Sequence, residues 1–203
     1  MNVHSFLRKN MSKRTKILTA AEAILAEQGF YGFSMHNLAE TAGVAAGTIY
    51  RYFDSKEVLM DALQEFIREE AAKDMFAGWD ETLSPKQKYD LIWQNVFNAV
   101  IGNPKRLTVI EMLRHVPNIK QAEITLFEEI SFKHLIELYQ QGIDNKQFLD
   151  WEMPALIAVS FDTSITLAKK VICGRLTPTQ QQLEQVRDAS WATIQNPHFK
   201  QQD

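Results

Sequence analysis

The chain has 203 residues, of which 45% are hydrophobic and 23% charged, with a formal net charge of −3. That is ordinary globular composition, and no apolar run approaches the ~20 residues that a membrane-spanning helix needs, so no membrane contact is expected. A single cysteine, Cys173, excludes an internal disulfide framework, suits a reducing cytoplasmic setting, and is expected as a buried or interface thiol.

The first segment is basic and lacks the apolar stretch of a secretory signal. Residues 1–16 carry Arg8, Lys9, Lys13, Arg14 and Lys16 with no carboxylate, whereas residues 61–203 carry fifteen basic and twenty acidic side chains. A basic end on an acidic body fits a molecule that meets phosphate at one end. The stretch 8–16 reads either as an arm along a nucleic-acid backbone or as a solvated terminus.

Glycine and proline fall between periodic segments, and strict apolar–polar alternation is absent, so the reading is all-α with about nine helices. The first runs over 13–28, with Ile17, Ala21, Ile24 and Leu25 on one face and Gly29 as its stop. Ser34 caps a short helix over 35–42, closed by Gly43, and a third covers 46–53. Asp54 or Ser55 caps a long fourth helix over 56–77, with an apolar stripe of Val58, Leu59, Ala62, Leu63, Phe66 and Ile67. Ser84 and Pro85 then open a helix that Gly102, Asn103 and Pro104 break. Short and long helices follow over 107–115 and 119–141, a loop over 142–150, an apolar helix over 153–173, and a last helix marked by Leu183, Val186, Ser190 and Ile194. The expected division is an N-terminal arm with a head of short helices over 1–60 and a larger helical bundle over 61–203.

The stretch from Ser34 to Lys56 carries the chemistry. Its spacing suits two helices crossing steeply through a short turn. Ala39 is small where they approach, Gly43 supplies the positive φ of the turn, and Val44 and Ile49 plug the second helix onto the first. Ala45, Ala46 and Gly47 keep the start of that second helix slim enough for a major groove. Thr48, Tyr50, Arg51 and Tyr52 offer hydroxyls and a guanidinium within about one turn, and Lys56 begins the next helix, where a phosphate would lie. A glycine-bounded helix pair alone also occurs in proteins that bind no DNA.

The longer string is more specific. Ala42-Gly43-Val44, then Gly47-Thr48-Ile49-Tyr50-Arg51-Tyr52-Phe53, then Ser55-Lys56-Glu57-Val58-Leu59 resembles the signature of the TetR family of bacterial repressors. Ile24-Leu25-Ala26-Glu27-Gln28-Gly29-Phe30 is similar to that family's first-helix ending, so the likeness covers about residues 13–63. The resemblance implies a homodimer on a palindromic double-stranded operator, with recognition helices ~34–36 Å apart. It also implies dimerisation through the last two helices and a pocket for an unknown small organic ligand. By position, Thr48, Tyr50, Tyr52 and Lys56 become phosphate contacts, while His36, Ala46 and Gly47 sit where bases are touched; Ser34, Ala45 and Arg51 complete the interface. Ala45 replaces the family's commoner serine, which removes an N-cap worth ~1 kcal/mol. Base reading then rests on alanine methyls against thymine and on DNA shape.

Trp93, Phe97, Met112, His115, Phe127, Phe161 and Asp162 come from the helices that would enclose the family's pocket, with His115 or Asp162 as polar anchor. Aromatic and methionine side chains at helical spacing are equally what a plain core displays. The five histidines show no metal-ligand spacing, and neither a phosphate-binding glycine loop nor a nucleophile elbow is present, so no metal, cofactor or enzymatic activity is expected. A DNA-binding protein of the same fold, controlled by a protein partner instead of a small ligand, is the alternative.

Overall fold

Ser12 opens the first helix, α1 (Lys13–Gln28): its Oγ accepts from the backbone N–H of Thr15 at 3.1 Å, satisfying a donor with no partner inside the helix. In the computed structural model the described residues are 12–113 and 131–199. Ten helices occur among them, and no strand, only an isolated bridge between Phe148 and Gln195. After α1 come α2 (Met35–Ala42), α3 (Ala46–Tyr52), α4 (Lys56–Met75), α5 (Pro85–Gly102) and α6 (Pro104–Leu113). Then follow α7 (Lys133–Asp144), α8 (Met153–Val159), α9 (Asp162–Ile172) and α10 (Gln180–Ile194). None of these helices is long and apolar enough to cross a membrane.

The chain forms two compact units. One takes the residues up to Arg68 and the segment from Lys105; the other takes Glu69–Pro104 and the C-terminal segment. The first unit is built on Ile17, Leu18, Leu25, Leu38, Ile49, Phe53, Leu59 and Leu63, all buried, with Val109 and Leu113 of α6 in the same core. Burying each such side chain contributes ~1.5–3 kcal/mol. α6 is also tied to α1 by charge: Arg106 Nε donates to Glu22 Oε1 at 2.8 Å, and Lys105 Nζ to Glu27 Oε1 at 3.0 Å. Pro104 opens α6 instead of ending α5's break, because its fixed φ and missing N–H cost nothing in a first turn. Val58, expected in the apolar stripe of α4, is exposed.

The second unit packs α5 and α7–α10 around Tyr89, Ile92, Trp93, Tyr139, Leu156 and Ala168. α5 and α10 each begin with a reciprocal capping box, Ser84 with Gln87 and Thr179 with Gln182. α4 stops at Met75, short of Ala77, and Asn95 Nδ2 on α5 donates to the carbonyls of Met75 and Ala77 at 2.9 and 2.8 Å, satisfying acceptors left free at the helix end. Hydroxyls thread the core: Tyr89 Oη lies 2.7 Å from Ser190 Oγ, and Tyr139 Oη 2.6 Å from Ser160 Oγ. Burial pushes both phenols well above the ordinary tyrosine range, so they remain neutral partners.

The apolar stretch 153–173 is two helices, not one. Ser160 Oγ donates to Leu156 O at 2.5 Å, and Thr163 Oγ1 donates to Ser160 O. These bonds to main-chain carbonyls, with Tyr139 on the same Ser160 hydroxyl, hold a break that hydropathy does not register. Similarly, within the expected helix over 119–141, α7 begins only after Phe132 (φ −111, ψ 21), and it runs on to Asp144, into the first residues of the expected loop over 142–150. Residues 119–130 of that expectation lie outside the described residues. The basic segment 1–11 does too. Cys173, at the end of α9, is exposed on the single chain, so of the two expected settings it is not buried in the chain's own core. Val186 is likewise exposed, and with Leu167, Leu176, Pro178 and Ala189 it lines an open groove of about 320 Å³ along α9 and α10.

Candidate nucleic-acid interface

The head is assembled from short-range chemistry. Ser34, in extended backbone, accepts from Asn37 N at 3.1 Å and starts α2, while Asn37 Nδ2 donates to Gln28 Oε1 at 2.9 Å and pins α2 to the end of α1. Gly43 adopts φ 64, ψ 40, the left-handed conformation that a residue with a Cβ resists. Its N–H donates to Glu40 O at 3.1 Å and that of Val44 to Ala39 O at 3.0 Å, which closes α2 and turns the chain into α3.

α3 is held from behind by Ile49, fully buried, and by Phe53 just past its end. Its other face is open. Ala45, Ala46, Gly47, Tyr50, Arg51 and Tyr52 are exposed and Thr48 is half-buried. The guanidinium of Arg51 lies 5.6 Å from the centre of the Tyr52 ring. His36 is exposed on α2, 3.4 Å from Glu40 one turn on. All the residues expected at a DNA interface therefore belong to the α2–α3 pair or to its flanks, Ser34 before it and Lys56 after it.

No side chain caps α3, since Ala45 occupies the N-cap position with φ −66 and ψ 144. Ala45→Ser is expected to stabilise the protein by about 1 kcal/mol, read from the urea unfolding midpoint. An unchanged or lowered midpoint would mean that the serine hydroxyl does not reach the free N–H groups of α3.

Lys56 is half-buried, and its ammonium lies 4.4 Å from the centre of the Phe30 ring. That aromatic loop was not foreseen as a neighbour of Lys56. Three aromatics within four residues, Phe30, Tyr31 and Phe33, in a segment between two helices were the available signal: Phe33 fills the core, but Phe30 and Tyr31 are exposed.

The residues expected around a ligand are less gathered. Trp93 and Phe97 stack with ring centres 5.9 Å apart, and Trp93 Nε1 donates to Thr163 Oγ1 at 2.9 Å. Phe161 is buried in the same core, whereas Asp162 is exposed in the first turn of α9. Met112 belongs to the first unit, half-buried on α6. His115 and Phe127 lie outside the described residues. Among the described residues no group of three His, Cys, Asp or Glu side chains is placed to hold a metal ion.

Comparison with known proteins agrees with this arrangement. Residues 17–63 match the family described as bacterial regulatory proteins, tetR family, and residues 85–195 match the tetracyclin repressor-like C-terminal domain. An uncharacterized HTH-type transcriptional regulator of Haemophilus influenzae is 28% identical over 89% of this chain and 94% of its own. The HTH-type transcriptional repressor KstR of Mycolicibacterium smegmatis is 38% identical over 45% of each chain. Among solved structures, a TetR-family regulator from Vibrio parahaemolyticus superposes with a TM-score of 0.80 at 32% identity, covering 91% of this chain and 99% of that one. The C-terminal match alone spans more than half of the residues and the N-terminal match covers the helix pair just described, so this chain belongs to the TetR family of helix-turn-helix transcriptional regulators.

Proposed function

We propose that the protein is a cytoplasmic repressor that binds a palindromic operator as a homodimer and leaves it when a small organic ligand binds. The carrying observation is the exposed outer face of α3, with Thr48, Tyr50, Arg51 and Tyr52 around a slim Ala45-Ala46-Gly47 tip and Ile49 locked behind. Thr48, Tyr50, Tyr52 and Lys56 take phosphates, while His36, Ala46 and Gly47 approach base edges. DNA binding is assigned to residues 1–60 and ligand binding and dimerisation to 61–203, of which the stretch to Arg68 and α6 from Lys105 pack with the DNA-binding helices. Trp93, Phe97 and Phe161 offer the ligand an apolar, aromatic surround. Repression follows the named activity of the relative KstR. Dimerisation through α9 and α10 is supported by the exposed apolar Leu176 and Val186 along their groove.

Footprinting on the DNA upstream of the protein's own gene and its neighbours tests the reading. The expected result is protection of two half-sites about one helical turn apart, lost on adding a member of an apolar small-molecule library. Protection of a single half-site would overturn the dimer. Release by a purified protein and by no compound would overturn the ligand.

A further inference from the structure

Lys56 is held in an unusual way for a surface lysine. Its ammonium faces two aromatic rings, at 4.4 Å from the Phe30 centre and 5.3 Å from the Phe33 centre, and donates to the Phe33 carbonyl at 3.4 Å. An ammonium carries three donors, so one bond to a carbonyl leaves two for another acceptor. Both sides of this clamp are fixed. On the lysine side, Ser55 Oγ accepts from Val58 N at 3.3 Å and sets the start of α4. On the aromatic side, Phe33 is buried in the first unit's core, and its N–H donates to Phe30 O at 3.4 Å across a tight loop. Gly32 lets that loop close: a Cβ there would lie 2.6 Å from Gln28 Cβ and 2.9 Å from the Gln28 carbonyl oxygen. Gln28 is itself tied to α2 through Asn37.

We propose that Phe30 and Phe33 are positioning residues for DNA binding, holding the Lys56 ammonium at the edge of the α2–α3 pair with its remaining N–H groups turned to a phosphate. The inference rests on the reading of Lys56 as a phosphate contact. A free lysine must give up rotamer freedom to bind a phosphate, whereas a clamped one has given it up on folding. The ring faces attract the cation without neutralising it, as a carboxylate would.

The test uses the full-length protein and a mixed-sequence DNA duplex long enough for two half-sites, because phosphate contacts do not need a particular sequence. Affinity is measured against salt concentration for Phe30→Leu, Phe30→Tyr, Lys56→Gln and the Phe30→Leu/Lys56→Gln pair, with thermal melting as the check on folding. Lys56→Gln should flatten the slope of log affinity against log salt by about 0.9 per protomer. Phe30→Leu should weaken binding by about two- to fivefold and flatten the slope in the same sense. Phe30→Tyr, which keeps the ring, should restore both, and Phe30→Leu should do nothing further once Lys56 is glutamine. The proposal is overturned if Lys56→Gln flattens the slope while Phe30→Leu leaves it unchanged, or if Phe30→Leu weakens binding equally in both backgrounds. Should Lys56→Gln leave the slope as it was, the phosphate reading itself fails and the positioning role falls with it.

Discussion

Gly47→Glu is expected to leave the fold intact and to weaken DNA binding by about a hundredfold. Gly47 is exposed near the start of α3, and apart from its chain neighbours and the adjacent backbone of its own helix no heavy atom lies within 4 Å of where a Cβ would be. Glutamate therefore fits without displacing anything. It also favours helix over glycine and places a negative charge near a helix N-terminus, so stability should rise slightly. At a groove lined by phosphates the same carboxylate is repelled at a cost of several kcal/mol, and about 3 kcal/mol is a hundredfold in affinity. The two effects have opposite signs, which separates loss of recognition from loss of structure. Melting followed by circular dichroism and binding followed by fluorescence anisotropy read them independently. A variant that melts at or above the wild-type temperature and still binds like wild type would remove the tip of α3 from the DNA interface.

Arg106→Leu should destabilise the first unit by about 3–5 kcal/mol, as expected when one partner of a buried ion pair is removed. The Glu22 side chain is only 10% exposed and that of Arg106 20%, and the guanidinium addresses both carboxylate oxygens, Nε at 2.8 Å and a terminal nitrogen at 3.4 Å. Leucine in place of arginine leaves that carboxylate desolvated beside an apolar neighbour. Glu22→Leu together with Arg106→Leu should recover most of the loss, because replacing both charges avoids the unpaired one. Urea unfolding of the wild type, the single variant and the pair measures this directly. A single-variant loss under about 1 kcal/mol would put the pair with solvent-screened surface bridges and against the packing described for α6.

Much of the head could be read from residues within a few positions of one another. The bounds expected for the first two helices, 13–28 and 35–42, are those observed, because each is set by a cap and a glycine next to it: Ser12 and Gly29, Ser34 and Gly43. The family motif likewise lies in one unbroken string, from Ala42 to Leu59. The bundle was harder. Hydropathy ran straight through 153–173, where the break at Ser160 depends on Tyr139, twenty-one positions earlier. It also ran through Phe132, in an expected helix over 119–141 of which only the end lies among the described residues.

What the sequence alone determined is thus the all-α class, the helix pair and the family, since periodicity, caps and left-handed glycine are local physics. Tertiary structure decided the rest. Sequence order assigns α6 to the bundle half of the chain, yet Arg106 reaches across eighty-four positions to Glu22 and brings the helix into the first unit. The slim, uncharged tip of α3 was visible in Ala45-Ala46-Gly47. That Phe30 and Phe33 grip Lys56 beside it was not, because a cation finds an aromatic face only once folding has closed the loop between them.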